Sequence, residues 1–189
     1  ADMGHVSRLR HVDFPAVQIL PALKFVFILR QRHYMRFDGV TPEGLDWHLL
    51  DNDKHRGIQT LMRDLNQLYV ATPALHEIDF DARGFEWIDC HDSTQSVLSY
   101  LRKGDNGEVV IVVLNMTPVP RYDYRIGVPE AGAYREIINS DSEYYGGSNT
   151  GNGPAALVTE AVAWMDRPVS LSLTLPPLAA IVLEYQGPA

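Results

Sequence analysis

The hydrophobic period of this chain changes once, between Asp79 and Gly84, and that change constrains the fold more than any other feature. Upstream, Ile58, Leu61, Met62, Leu65, Leu68 and Tyr69 recur at helical spacing and form one apolar stripe. Gln59, Arg63, Asp64 and Gln67 fall on the opposite face. Pro73 ends this helix and opens a short turn over Pro73–Glu77. From Phe85 onward the period is that of strands. Ser96–Arg102 (SVLSYLR) and Glu108–Leu114 (EVVIVVL) flank Lys103–Gly107, whose Asn106-Gly107 pair is a strong hairpin signal. Further strands are expected at Asp123–Val128, Ala133–Asn139, Ser170–Leu175 and Ala179–Tyr185, with a long Gly/Asn/Ser loop over Asp141–Pro154. Ser170–Leu175 (SLSLTL) alternates strictly, so its leucines share one face. The pattern predicts a helix over 56–70 followed by an all-β sandwich over 85–189. No internal repeat is visible.

Charge narrows the partners. Lys and Arg number 16 against 24 Asp and Glu, a formal net charge of −8. An acidic surface argues against nucleic acid and against an anionic membrane, and is compatible with a neutral ligand such as a sugar. The longest apolar stretch, Phe14–Leu29, is broken by Pro15, Gln18, Pro21 and Lys24 and is shorter than a membrane span. No signal-peptide pattern is seen. The single cysteine, Cys90, excludes an internal disulfide and reads as an ordinary strand residue, so a reducing, cytoplasmic setting is expected.

Several segments, in one order, resemble a known family. They are Leu45–Leu50 (LDWHLL), Arg63-Asp64-Leu65-Asn66, Pro73-Ala74-Leu75, Asp81–Trp87 (DARGFEW), Asn115–Arg121 (NMTPVPR), Asn139-Ser140-Asp141, Tyr145–Gly153, Leu173–Pro177 (LTLPP) and Leu178–Leu183. Together they are similar to the C-terminal portion of 1,4-α-glucan (glycogen) branching enzymes, in the α-amylase superfamily. The resemblance implies a mixed fold: residues 45–84 as the end of a (β/α)8 catalytic barrel, and 85–189 as the C-terminal β-sandwich. It implies a retaining transglycosylation in the parent enzyme, forming α-1,6 branches from α-1,4 glucan. That chemistry needs two carboxyl groups about 5 Å apart, one held protonated. Their motifs are not found in this chain, so catalytic residues and cofactors are expected to be none, and the fragment is expected to be inactive alone. The partners implied are α-glucan and the missing barrel. The alternative is a free-standing glucan-binding sandwich. A third reading is a structural domain closing the barrel base, with the stripe Ile58–Tyr69 exposed.

Residues 1–44 remain unassigned. Pro21–Ile28 has the hydropathy of a last barrel strand, but Leu29-Arg30-Gln31 stands where the family has Gly-Asn-Glu. A sequence artefact is favoured over divergence, because the mismatch is confined to this end.

Three residues are candidates for glucan contact. Trp87, in the Gly-Phe-Glu-Trp element, resembles a position that stacks on glucan, since flat apolar rings suit sugar C–H faces. The other reading is a core tryptophan capping the sandwich. Trp47 and Asp46, beside His48, resemble a barrel-top loop near the substrate cleft. There the preferred reading is an anchor of that loop against the helix. Asp51–His55 lacks an aromatic found in some relatives. His76-Glu77 lacks the second histidine of a zinc helix, Phe80 standing in its place. Asp79, Asp81, Asp89 and Asp92 read as solvated loop charges rather than an acid/base pair. Asp141–Asn152 has oxygen ligands without the spacing of a calcium loop.

Overall fold

The computed structural model describes residues 47–189. Asp46 and the unassigned segment 1–44 lie outside the described residues. The chain starts with a 3-10 turn, Trp47–Asp51, then enters helix α1, Asp53–Ala71. Asn52 caps α1, its side chain accepting from the Lys54 amide at 3.0 Å. The helix therefore begins earlier than the apolar stripe that announces it. Two short 3-10 turns, Pro73–Leu75 and Ala82–Gly84, carry the chain into the sheet.

Eight strands follow among the described residues: β1 Phe85–Asp89, β2 Val97–Lys103, β3 Val109–Asn115, β4 Arg121–Val128, β5 Ala133–Asn139, β6 Leu157–Val158, β7 Val169–Leu175 and β8 Ala179–Gly187. Six form one sheet in the order β1-β2-β3-β8-β5-β6, and β4 pairs with β7 in a second. Every pairing is antiparallel. The β2–β3 connection closes through the Gly104 amide on the Glu108 carbonyl, 2.9 Å, with Gly107 in the left-handed region at φ +84°. That is a turn followed by a left-handed glycine, the use the Asn-Gly signal anticipated.

The large sheet is covered on both faces. Val97, Leu101, Ile111, Val113, Ile181 and Leu183 point towards β4 and β7, where Ile126, Val128, Leu171, Leu173 and Leu175 meet them. Tyr100, Val110, Val112, Leu114, Ala180 and Val182 point the other way, onto Leu61 and Leu65 of α1 and onto Ala74 and Leu75. Successive residues of a strand alternate faces, so a strand buried on both sides must be apolar throughout. This accounts for the run at 109–114. The stripe of α1 is thus not exposed, as the reading of a purely structural domain required. Leu61 and Leu65 are buried on the sheet, with Met62, Leu68 and Tyr69 packed beside them.

Cys90 sits in the bend after β1 rather than within a strand, because the β1–β2 register shifts between Trp87 and Asp89 and pairing ends there. Among the described residues no helix is long and apolar enough to cross a membrane.

Candidate functional site

Trp87 occupies β1, an edge strand whose partner is β2, and stands directly opposite Tyr100. Its side chain shares the face of Tyr100, the one that α1 covers, at the edge of the sheet. Phe85 meets it edge-on at 5.0 Å between centroids, and Tyr100 edge-on at 5.8 Å. Phe85 and Tyr100 themselves lie 5.3 Å apart. Tyr100 is buried, while Trp87 is 48% exposed and belongs to neither core cluster. Two rings set nearly perpendicular to it hold the indole and leave apolar surface open to water. Such a platform can hold a flat apolar face, as a sugar ring presents, without supplying any proton-transfer group.

The reverse side of β1 is ionic. Glu86 accepts from Lys103 Nζ at 2.6 Å and also pairs with Arg167. Arg167 closes a tight turn with Trp164, each amide donating to the other's carbonyl at 2.9 Å. Met165 and Asp166, at its corner, both have positive φ. Trp164 is 47% exposed there. Its exposure is not marked in the sequence, where Asp166 and Pro168 signal a turn but not which way the indole faces.

Trp47 opens the first 3-10 turn and is 66% exposed, so its ring is not packed away as an anchor against α1. Among the described residues it forms no ring pair with Trp87. Asp46 lies outside the described residues.

The acidic residues of the seam have structural partners. Asp79 is not a solvated loop charge: its carboxylate pairs with Arg102, and the two side chains are 3% and 4% exposed. Arg102 is held in addition to the Ala74 carbonyl. Asp92 accepts from the Tyr124 hydroxyl at 2.8 Å and from the Gln95 amide at 3.0 Å. Burial, followed by this bond, raises the Tyr124 phenol. Asp89 accepts from the His91 amide at 2.8 Å. Asp81 is exposed, and accepts from the backbone and side chain of Arg83, which hold its carboxyl below the usual range. His76 packs on Tyr69 at 5.3 Å, and Glu77 accepts from the Asp105 amide at 3.0 Å. In the long loop, Asp141 is buried and accepts from the Ser148 amide and hydroxyl and the Thr150 amide. Its oxygens therefore serve the loop's own donors. Among the described residues no group of His, Cys, Asp and Glu is placed to hold a metal ion.

An antiparallel sandwich of a six-stranded and a two-stranded sheet, with an exposed aromatic on its edge strand, defines an all-β domain. The family model for "Alpha amylase, C-terminal all-beta domain" matches residues 87–186, and the chain belongs to that family. Its nearer likeness is to particular enzymes. It is 59% identical over 145 residues to the 1,4-alpha-glucan branching enzyme GlgB of Nitrosococcus oceani, covering 77% of this chain and 19% of that protein. It is 54% identical over 146 residues to the protein of the same name from Aquifex aeolicus, covering 76% and 23%. The chain thus spans about a fifth of the length of the curated relatives it matches. Among solved structures, the catalytic module of the multi-modular glycogen-degrading pneumococcal virulence factor SpuA aligns with a TM-score of 0.48 at 17% identity, over 76% of this chain and 20% of that one.

Proposed function

We propose that this chain is the C-terminal, non-catalytic part of a glycogen branching enzyme, which forms α-1,6 branches from α-1,4 glucan by retaining transglycosylation. The supporting observation is the extent of the likeness. At 145 residues it is longer than the stretch from Trp87 to Ala189, so it runs upstream into the segment holding α1. A module made of residues 85–189 alone would not include that helix. In this reading residues 45–84 are the end of the barrel, 85–189 are the β domain, and the catalytic carboxylates lie in the part of the parent that precedes them.

The role of the fragment is to brace the barrel's last helix and to offer glucan a foothold at Trp87, with Trp47 and Asp46 nearer the cleft. Burial of Leu61 and Leu65 against the sheet supports the first part, and the half-exposed, edge-supported indole of Trp87 supports the second.

The test is an iodine-stain branching assay on amylose. The product of the full reading frame lowers the stain, and this chain alone leaves it at the level of buffer. Branching by this chain alone, or a reading frame with no barrel upstream, overturns the proposal.

A further inference from the structure

The chain holds two Asn-Gly pairs, Asn106-Gly107 and Asn152-Gly153, and the fold treats them differently. Both glycines have positive φ, +84° and +73°, and neither has a heavy atom within 4 Å of the place a Cβ would take. The space around the glycine Cα is therefore equally open at both. The asparagines are not equivalent. Asn152 is locked by its side chain. Its Nδ2 donates to Glu136 at 2.6 Å and to the Thr174 carbonyl at 3.1 Å, and its Oδ1 accepts from the Thr174 amide at 2.8 Å. Asn106 is exposed at the tip of the β2–β3 hairpin. Its Oδ1 accepts from the Glu108 amide at 2.8 Å, and its Nδ2 has no partner among the described residues.

We propose that Asn106 is a site of spontaneous covalent modification, and that Asn152, with the same sequence signal, is protected by the fold. The Gly107 nitrogen attacks the Asn106 side-chain carbonyl carbon. A new C–N bond forms, the bond to Nδ2 breaks, and ammonia leaves with the proton given up by Gly107. The resulting cyclic imide takes up water at either carbonyl, giving aspartate or isoaspartate. No oxidant or enzyme is needed. To react, Asn106 has to release one side-chain bond, and Gly107 its 3.1 Å bond to the Gly104 carbonyl. Glycine carries no side chain to hinder the approach. Asn152 has to release three side-chain bonds.

The product matters to the seam. A carboxylate at position 106 joins Asp105, Glu108 and Glu77, and Glu77 already accepts from the Asp105 amide at 3.0 Å. Glu108, whose amide Asn106 positions, accepts through its carboxylate from the Ala74 amide at 2.9 Å. Modification therefore acts on the connection between the hairpin and the turn that follows α1.

The experiment incubates the folded protein in mildly alkaline buffer and maps peptides by mass, with isoaspartate detected separately. The Asn106 peptide is expected to convert about two- to tenfold faster than the Asn152 peptide, three bonds against two setting the ratio. The same incubation in urea should bring the two rates together. Equal native rates, faster conversion at Asn152, or a ratio unchanged by urea overturns the proposal.

Discussion

The guanidinium of Arg102, on β2, is bonded to the carboxylate of Asp79, in the turn before β1, with both side chains almost sealed from water. Arg102 also reaches the Ala74 carbonyl, whose own amide is held by Glu108. One buried charge pair therefore fastens the segment after α1 to β2, the strand next to the sheet edge. Removing one member leaves the other charge buried alone, which typically costs about 3–5 kcal/mol. Asp79→Ala and Arg102→Ala should each lower the unfolding free energy by that much, read from urea denaturation. The double substitution Asp79→Leu with Arg102→Met should cost less than either single change. Additive losses in the double variant would refute the pairing.

The helix–sheet contact makes a second prediction. Leu65 is buried against the sheet, whereas Val70, one turn further on, is 77% exposed. Leu65→Ala should cost about 2–5 kcal/mol, through lost transfer energy and the cavity left behind. Val70→Ala should stay within about 0.5 kcal/mol. If α1 were loosely attached, both would be silent and far-UV circular dichroism would show the helix melting before the sheet.

What the sequence could disclose follows from what is local. The helix stripe, the hairpin at Asn106-Gly107 and the strand 133–139 are written in neighbouring residues, and each is found where those residues place it. The run at Val109–Leu114 even reports double-sided burial, since a one-sided strand would alternate. Pairings across long separations leave no such mark. Asp79 looks like Asp81 in sequence, yet one is buried on Arg102 and the other stands in solvent, because only topology brings β2 beneath the first. The loop role of Asp141 and the exposure of Trp164 are hidden for the same reason. At the candidate site, the aromatic character of Trp87 was legible, and its half-exposure on an edge strand was not.

Trp87 supplies the third prediction. Its contacts with Phe85 and Tyr100 orient the ring, and in the proposed reading its exposed surface takes the sugar. Trp87→Ala should weaken glycogen binding by about three- to tenfold, the worth of one aromatic contact. Trp87→Phe should keep part of it. Affinity electrophoresis in glycogen-containing gels reads both, with circular dichroism to verify the sheet. Unchanged migration on losing Trp87, with the sheet intact, would remove it from the site.

Gly57 gives a case in which two effects oppose. It lies inside α1, where alanine is ordinarily favoured over glycine by about 1 kcal/mol. A Cβ there would stand 2.6 Å from the carbonyl carbon and oxygen of Tyr145, so backbone would have to move. Overpacking of this kind costs about 1–3 kcal/mol. Gly57→Ala should therefore destabilise on balance, and a raised melting temperature would show that the loop yields freely.

Tyr145 and Tyr134 predict a loss of stability in alkali. Tyr134 is fully buried and donates to the Glu130 carbonyl at 3.0 Å, and burial pushes its phenol up to about 12. Tyr145 donates to Asp64 on α1 at 3.0 Å, and burial followed by that bond takes it from 10.0 to about 12. The folded state holds both protons more tightly than the unfolded chain does. Their contribution is complete below the unfolded value of 10.0 and is lost progressively as pH rises to about 12. Tyr145→Phe removes one of these protons and should make the decline of the urea midpoint across that window shallower. It also takes from Asp64 one of its two partners, leaving Arg63, so the variant starts from a lower midpoint at neutral pH. A variant whose midpoint falls as steeply as the parent's would show that Tyr145 titrates alike in the folded and unfolded states, and that its bond to Asp64 does not hold the long loop on the helix.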